Sequence, residues 1–339
     1  MVRIVFFGTP AFAVPSLEAL IASGHEVVAV VSQPDRPRGR GQQLQPTPTK
    51  QVALAHGIPV LQPTKIRDEA FLQQIRDLHA DLGVVVAFGR ILPDALLAIP
   101  RLGMINVHAS ILPFYRGAAP IQRAVLAGDA ETGVTIMRVA SELDAGPTFS
   151  VARVPIPPDA TSGDMEGVLA SLGAQLLLPV VDDLEADRAV EVPQDHSRAT
   201  FAPKITKEEG VIDWNEPAEV IHNRIRGLQP WPLASTSLNG SRIVLRSSRV
   251  RSPDRPSPGV RSPDLTSGAR PPDAGLAPLA QSGDLTPGSV RTTQGAMTVV
   301  CGDGTELEIL ELQPEGKRTM TAREFLAGRG LPDNARFES

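Results

Sequence analysis

Ile105-Asn106-Val107-His108-Ala109-Ser110-Ile111-Leu112-Pro113, followed by Arg116-Gly117-Ala118-Ala119-Pro120, is the stretch on which the fold turns. Apolar and polar residues alternate until a proline stops the run, the pattern of a strand with a buried face. With Ile105 and Val107 inward, Asn106 and His108 share the other face, because side chains two apart in a strand point the same way. Polar groups at the C-terminal end of a strand are where an open α/β sheet carries its chemistry. From these residues alone, a satisfied structural histidine beside a surface turn reads equally well, since His serves both purposes.

The flanking chain supplies the sheet. Residues 81–88, Asp-Leu-Gly-Val-Val-Val-Ala-Phe, are the most apolar run of the N-terminal half and suit a central parallel strand covered on both faces. The chain opens with a strand over 2–7, a Gly8-Thr9-Pro10 turn, a helix over 11–23 and a second strand over 27–31. Strand, helix, strand in about thirty residues is a βαβ unit, which implies a parallel sheet and a right-handed crossover. The first turn lacks both G-x-G-x-x-G and G-x-x-x-x-G-K-[ST], so neither a dinucleotide nor a P-loop nucleotide is the natural ligand. That absence disfavours a dinucleotide-dependent oxidoreductase. Downstream, a helix over 117–127 and a strand over 132–139 lead to Asp144 before a Gly-Pro turn, and a long helix lies within 162–184.

Residues 32–50 read as a long irregular loop that carries Arg36, Arg38 and Arg40 among glycines and prolines. Loops this long in a compact domain are functional or disordered. The arginines offer bidentate contacts to a phosphate-rich partner; the bland alternative is a solvated basic loop.

After residue 204 the texture changes. Short strand signals at 234–238, 242–246, 288–291, 297–300 and 306–312 suggest a small antiparallel barrel or sandwich, with helices over 216–227 and 321–326. Residues 251–286 hold seven prolines, four glycines and a repeat of Val-Arg-Ser-Pro-Asp at 250–254 and 260–264. So few large apolar residues cannot offset the entropy of ordering, so this segment is expected to be a mobile insertion.

Composition narrows the class. At 339 residues the chain exceeds a comfortable single core, so two domains are expected, 1–203 and 204–339. The 42% hydrophobic and 21% charged shares are those of a globular protein. Only 4% of residues are aromatic, so no stacking platform for single-stranded nucleic acid is advertised. The lone Cys301 excludes an internal disulfide and a zinc cluster. A net charge of −5 argues against a generic polyanion binder. Residues 204–339 balance 17 Lys plus Arg against 17 Asp plus Glu, so the deficit lies wholly in residues 1–203. The N-terminus lacks a secretory signal, and no window approaches the ~18 apolar residues of a membrane span. A cytoplasmic enzyme without a membrane association is the expectation.

With Asp144, the run from Asn106 to Pro113 resembles the 10-formyltetrahydrofolate-dependent formyltransferases. An ordered set of further motifs is similar to the methionyl-tRNA formyltransferase branch of that family. These are Phe7-Gly8-Thr9-Pro10, Gln33-Pro34-Asp35-Arg36-Pro37, Gly39-Arg40-Gly41, Arg116 to Gln122, Gly128 to Gly133, Lys204 to Glu209, Ile212-Asp213-Trp214 and Pro230-Trp231-Pro232. The resemblance covers nearly all of the chain except residues 251–286. Two departures are Ser110-Ile111-Leu112-Pro113 in place of Ser-Leu-Leu-Pro, and Ala109 where glycine is also common. Ile for Leu conserves volume, so the pocket is expected to survive.

The resemblance implies an α/β fold: a Rossmann-like parallel-sheet formyltransferase domain followed by a small C-terminal OB-like β-barrel domain that binds tRNA. It implies attack by the α-amine of methionyl-initiator tRNA on the formyl carbon of the co-substrate 10-formyltetrahydrofolate, directly and without a metal. Asn106 and a protonated His108 are suited to donate to the tetrahedral oxyanion, and Asp144 to orient the imidazole and help accept the amine proton. Ser110, Ile111, Leu112 and Pro113, with Val86, Phe88, Gly89, Ile91 and Leu92, are expected to wall the folate site. Arg36, Arg38 and Arg40 are expected to meet tRNA, supported by Lys204 and Lys207, in a monomer. Formyltransferases acting on an amino-sugar nucleotide or a glycinamide ribonucleotide could share Asn106, His108 and Asp144. A folate- or RNA-binding regulatory protein that has lost catalysis would show a damaged triad, and this one is intact.

Overall fold

The computed structural model describes residues 1–38, 43–251, 286–293, 295–328, 331 and 334–338, with only the backbone at 38 and 43. The chain divides into two compact units, Met1–Ile205 and Thr206–Ser339.

In the first unit β1 (Arg3–Gly8) leads through a 3-10 turn into α1 (Val14–Ala22) and β2 (Glu26–Val31). A hairpin of β3 (Arg36–Arg38) and β4 (Gln43–Gln45) follows, then α2 (Pro48–Ala55), β5 (Val60–Leu61), α3 (Glu69–Asp77), β6 (Leu82–Val86) and α4 (Asp94–Leu97). The run continues as β7 (Met104–His108), β8 (Arg116–Gly117), α5 (Pro120–Ala127), β9 (Glu131–Arg138), β10 (Thr148–Pro155), α6 (Ser162–Glu185) and β11 (Phe201–Ala202).

The main sheet has the order β10-β9-β7-β6-β1-β2-β5. Its five strands from β7 to β5 are parallel, giving the expected Rossmann-like layer. β9 pairs antiparallel with both β7 and β10, so one edge of the sheet is mixed. The connection over residues 139–147 is too short for a crossover, and a short link joins antiparallel strands.

Both faces are covered, which is why β6 is buried along its whole length. Ile105 and Val107 pack with Leu17 and Leu20 of α1 and Leu169 and Leu177 of α6. Met104, on the opposite face, packs with Val5, Phe7, Phe71 and Ile75. Period two then puts Asn106 and His108 on the Met104 side of β7, at its C-terminal end.

Two sequence expectations change here. Residues 32–50 are not an irregular loop: the β3–β4 hairpin occupies the middle, and Pro48 opens α2. The Thr47 hydroxyl accepts from the Lys50 N–H at 3.4 Å, and proline is well tolerated in a helix's first turn. Second, α6 is a 24-residue helix long and apolar enough to cross a membrane by length and composition. It packs as a core helix instead, with Met165, Leu169, Leu177 and Val181 against the sheet and a capping box of Thr161 and Asp164 at its start.

The second unit runs α7 (Ala218–Gly227), β12 (Ala234–Leu238), β13 (Ser241–Arg251), β14 (Val290–Thr293), β15 (Ala296–Val300), β16 (Glu306–Pro314), β17 (Met320–Thr321), α8 (Ala322–Gly328) and β18 (Phe337–Glu338). Its antiparallel sheet has the order β14-β15-β16-β13-β12-β18, with β17 on β16. A bridge between Ser289 and Arg336 brings the ends together, with Val290 N–H on the Ala335 carbonyl and Phe337 N–H on the Gly288 carbonyl, each at 2.9 Å. The sheet therefore curls back on itself as an OB-like barrel. Trp214 stacks on Phe337 inside, and its indole N–H donates to Thr236 at 3.0 Å. Cys301 packs among apolar neighbours, and burial pushes its thiol up to about 12. The expected insertion lies between β13 and β14 and, except at its ends, outside the described residues.

Candidate active site

Parallel strands deliver their C-terminal ends to one edge of the sheet, and β7 delivers His108 there. The imidazole is 5% exposed and has an acceptor on each side. Nε2 lies 3.0 Å from the Tyr115 carbonyl, and Nδ1 lies 3.7 Å from Oδ2 of Asp144. A carbonyl can only accept, so Nε2 carries the proton of that bond. Asp144 comes back to His108 on the loop between β9 and β10. Its Oδ2 accepts from the Gly117 N–H at 2.9 Å, and its backbone is left-handed, at φ 47°.

Two glycines make this approach possible. Gly117, at φ 128°, runs so close to the Ala202 carbonyl that a Cβ would stand 2.7 Å from it. At Gly146 a Cβ would stand 2.0 Å from the Arg138 carbonyl oxygen, so the loop carrying Asp144 returns to its strand only without a side chain. Asn106 pairs with Val85 and Met137 along the sheet and is half-buried. Among the described residues its side-chain amide makes no hydrogen bond, which leaves its donor and acceptor open to a ligand.

The tract after His108 is a tight turn. The Ser110 hydroxyl donates to the Phe114 carbonyl at 2.6 Å and is fully buried. Thr135 of β9 pins the tract by donating to the Ser110 carbonyl at 2.7 Å and accepting from the Leu112 N–H at 3.1 Å. Leu112 is buried, and Ile111 and Pro113 are half-exposed.

Beside it, the end of β6 and the loop leaving it hold Val86, Phe88, Gly89, Ile91 and Leu92 at the same edge. Val86, Phe88 and Leu92 point into the core, with Phe88 edge-on to Phe7 at 5.5 Å. Gly89 and Ile91 face outward, Ile91 being 70% exposed. This half of the expected folate wall is therefore backbone, plus one apolar side chain.

The arginine-bearing hairpin hangs from the same edge, beyond β2. Arg36 is exposed; Arg40 and the Arg38 side chain lie outside the described residues. The base of the hairpin is fixed. Lys50 Nζ donates to Asp35 at 2.6 Å and to Gln62 at 2.8 Å, and Gln62 donates to Asp35 at 2.7 Å and to the Gln33 carbonyl at 2.8 Å. Gln33 in turn donates to the Phe88 carbonyl at 3.1 Å and accepts from Arg90 at 2.9 Å. Hydrogen bonding with Lys50, then with Gln62, holds the Asp35 carboxyl below the usual carboxylate range. Lys204 and Lys207 are exposed, the first in the N-terminal unit and the second in the C-terminal one.

Sequence reasoning missed several residues here: Gln33, Gln62 and Arg90 at the hairpin base, Thr135 under the turn, and Tyr115, Arg116 and Gln194 beside Asp144. Tyr115 hydrogen-bonds Asp129 at 2.6 Å, and burial, then Asp129, raises its phenol. Two of these carried a signal, Gln33 as the head of Gln-Pro-Asp-Arg-Pro and Arg116 as the head of Arg-Gly-Ala-Ala-Pro.

Residues 2–181 match the formyl transferase family, and residues 204–330 match the formyl transferase C-terminal domain. The chain is 45% identical over 326 residues to the methionyl-tRNA formyltransferase of Moorella thermoacetica, covering 96% of each chain. It is 45% identical to that of Methylococcus capsulatus, covering 97% of each. Its fold is similar to an N-formyltransferase of Helicobacter canadensis solved with folinic acid and dTDP-3-aminofucose (TM-score 0.62, 17% identity, 93% of this chain and all of that one). It is similar as well to HypX of Aquifex aeolicus solved with tetrahydrofolic acid (TM-score 0.60, 15% identity, 97% of this chain and 48% of that one). The chain belongs to the formyl transferase family, in the branch of the methionyl-tRNA formyltransferases.

Proposed function

We propose that this chain transfers the formyl group of 10-formyltetrahydrofolate to the α-amino group of methionyl-initiator tRNA. The observation that carries the chemistry is the close pair of His108 and Asp144, with the uncommitted Asn106 amide two residues away on the same strand face. The amine nitrogen attacks the formyl carbon and its bond to N10 of the folate breaks. The amine gives up a proton and N10 takes one. Asn106 and the imidazole of His108 donate to the oxygen that becomes negative. Asp144 holds the Nδ1 side of the ring and takes part in moving the amine proton. No side chain is acylated, so trapping a formyl group on the protein after a single turnover would overturn direct transfer.

Folate lies along residues 110–113 and the β6 exit loop, whose outward surface is mainly backbone, Ile91 and Pro113. The tRNA meets Arg36, Arg38 and Arg40 on the hairpin, with Lys204 and Lys207 adding charge and the C-terminal barrel binding tRNA. Arg40→Ala is expected to lower kcat/KM for tRNA while folate binding changes little. An amino-sugar nucleotide as acceptor is the fallback reading, and the fold neighbours would suit it. The 45% identity to methionyl-tRNA formyltransferases against 17% to the Helicobacter canadensis enzyme favours the tRNA. The deciding experiment supplies methionyl-initiator tRNA, methionyl-elongator tRNA and 10-formyltetrahydrofolate. Formylation of the initiator alone supports the proposal, and formylation of neither tRNA overturns it.

A further inference from the structure

We infer that Arg116 and Gln194 are positioning residues that hold the Asp144 carboxylate toward His108; this rests on reading that pair as the site of formyl transfer. Arg116 is 2% exposed, and its guanidinium donates to Oε1 of Gln194 from Nε at 3.2 Å and from Nη2 at 2.8 Å. Nη2 is also 3.3 Å from Nδ1 of His196, and the exposed Glu142 is 3.6 Å from Nη1. The Gln194 amide donates to the Asp144 carbonyl at 2.9 Å and to the Gly146 carbonyl at 2.7 Å. All four hydrogen-bonding positions of that buried amide are thereby used, and a fully satisfied buried network is rigid.

The arrangement has a specific target. Asp144 is a non-glycine residue in the left-handed region, a conformation that persists only when its surroundings fix it. Gln194 grips the carbonyl of that residue and the carbonyl two residues on, while the Gly117 N–H takes the carboxylate. The three consecutive residues 115–117 therefore set both partners. Tyr115 aims the His108 ring with its carbonyl, Arg116 fixes the Asp144 backbone through Gln194, and Gly117 fixes the Asp144 side chain. Gln194 lies 50 residues from Asp144 and 78 from Arg116 in sequence, so no local motif could report it.

Gln194→Glu separates the two functions of the amide, since a carboxylate still accepts from Arg116 but cannot donate to the two carbonyls. With both substrates saturating, kcat is expected to fall about 10- to 100-fold, with KM for tRNA and folate within about twofold and the pH profile of kcat displaced. Arg116→Lys keeps the buried charge but loses the planar fork, and is expected to give the same kcat loss. In an Asp144→Asn chain, Gln194→Glu should cause no further loss, because both changes act through one group. Equal losses in the two backgrounds, or a parental kcat and pH profile for both Gln194→Glu and Arg116→Lys, would overturn the positioning role. A parental kcat for Asp144→Asn alone would instead overturn the reading of the site on which it rests.

Discussion

The β7 edge and the β3–β4 hairpin leave the same side of one sheet, and they are built in opposite ways. At the β7 edge two of the three proposed groups are held by surrounding hydrogen bonds: His108 by the Tyr115 carbonyl, Asp144 by Gly117 and Gln194. At the hairpin the base is held by Lys50, Asp35, Gln62 and Gln33, and Arg36 projects into solvent. Proton and oxyanion chemistry needs groups placed within fractions of an ångström, and a rigid setting supplies that. Holding a polyanion needs charge within reach, and its strength depends on salt more than on geometry. Loss at the first region should therefore appear in kcat, and loss at the second in KM and salt dependence.

The sharpest contrast is Asp144→Asn, which keeps the shape of the residue and removes its charge. Single-turnover formylation is expected to slow on the order of 10³-fold, within the range of general acid–base contributions, with tRNA affinity retained. A loss confined to tRNA affinity would erase the distinction between the two regions. Gly146→Ala tests the same region without touching a reacting group. Its Cβ would sit 2.0 Å from the Arg138 carbonyl, so the loop must move and carry Asp144 with it. A displacement of about 1 Å can cost on the order of 10²-fold in rate, so kcat should fall by that order and Tm should drop as well.

The difference between the regions also explains what the sequence could reveal. Periodicity disclosed β1, α1, β2, β6 and β7, because each has a long run with a clear buried face. It failed where elements are short or pair at long range. β3 and β4 have three residues each with Pro37 inside, and β8 pairs with β11, 85 residues later, over two residues only. Two members of the proposed triad could be placed from the sequence, because His108 ends a readable strand and Asn106 precedes it by one alternation. Asp144 entered through the family pattern, since alone it reads as a turn residue. What holds it was invisible: the Gln194 side chain meets carbonyls from a distant loop, and a carbonyl contact such as that of Tyr115 leaves no mark on residue type.

At the hairpin, Arg36→Ala removes one exposed charge without disturbing the base. The expected result is a several-fold rise in KM for tRNA, an unchanged KM for folate, and a salt dependence of tRNA binding shallower by about one unit of slope. A fall in kcat at saturating tRNA, with the salt slope unchanged, would assign Arg36 to positioning and blur the contrast.

The smallest effect belongs to the hairpin base and is best read through pH. The Asp35 carboxyl is held below the usual range, first by hydrogen bonding from Lys50 and then from Gln62. Its proton therefore binds less readily in the folded chain than in the unfolded one, whose value lies near 3.9. Such a group stabilises the fold above its unfolded value, and the contribution disappears as pH falls through the lower folded value. Both side chains are partly exposed, so the contribution should be about 1 kcal/mol or less. Denaturant unfolding of the parent and of Asp35→Asn should show the parent ahead near pH 6, with the gap closing below about pH 4. Taking the difference between the two chains cancels the other carboxylates that titrate in the same range. A gap of equal size at both pH values would mean that shape, not charge, holds the base, and the hairpin would then be anchored in the same manner as the β7 edge.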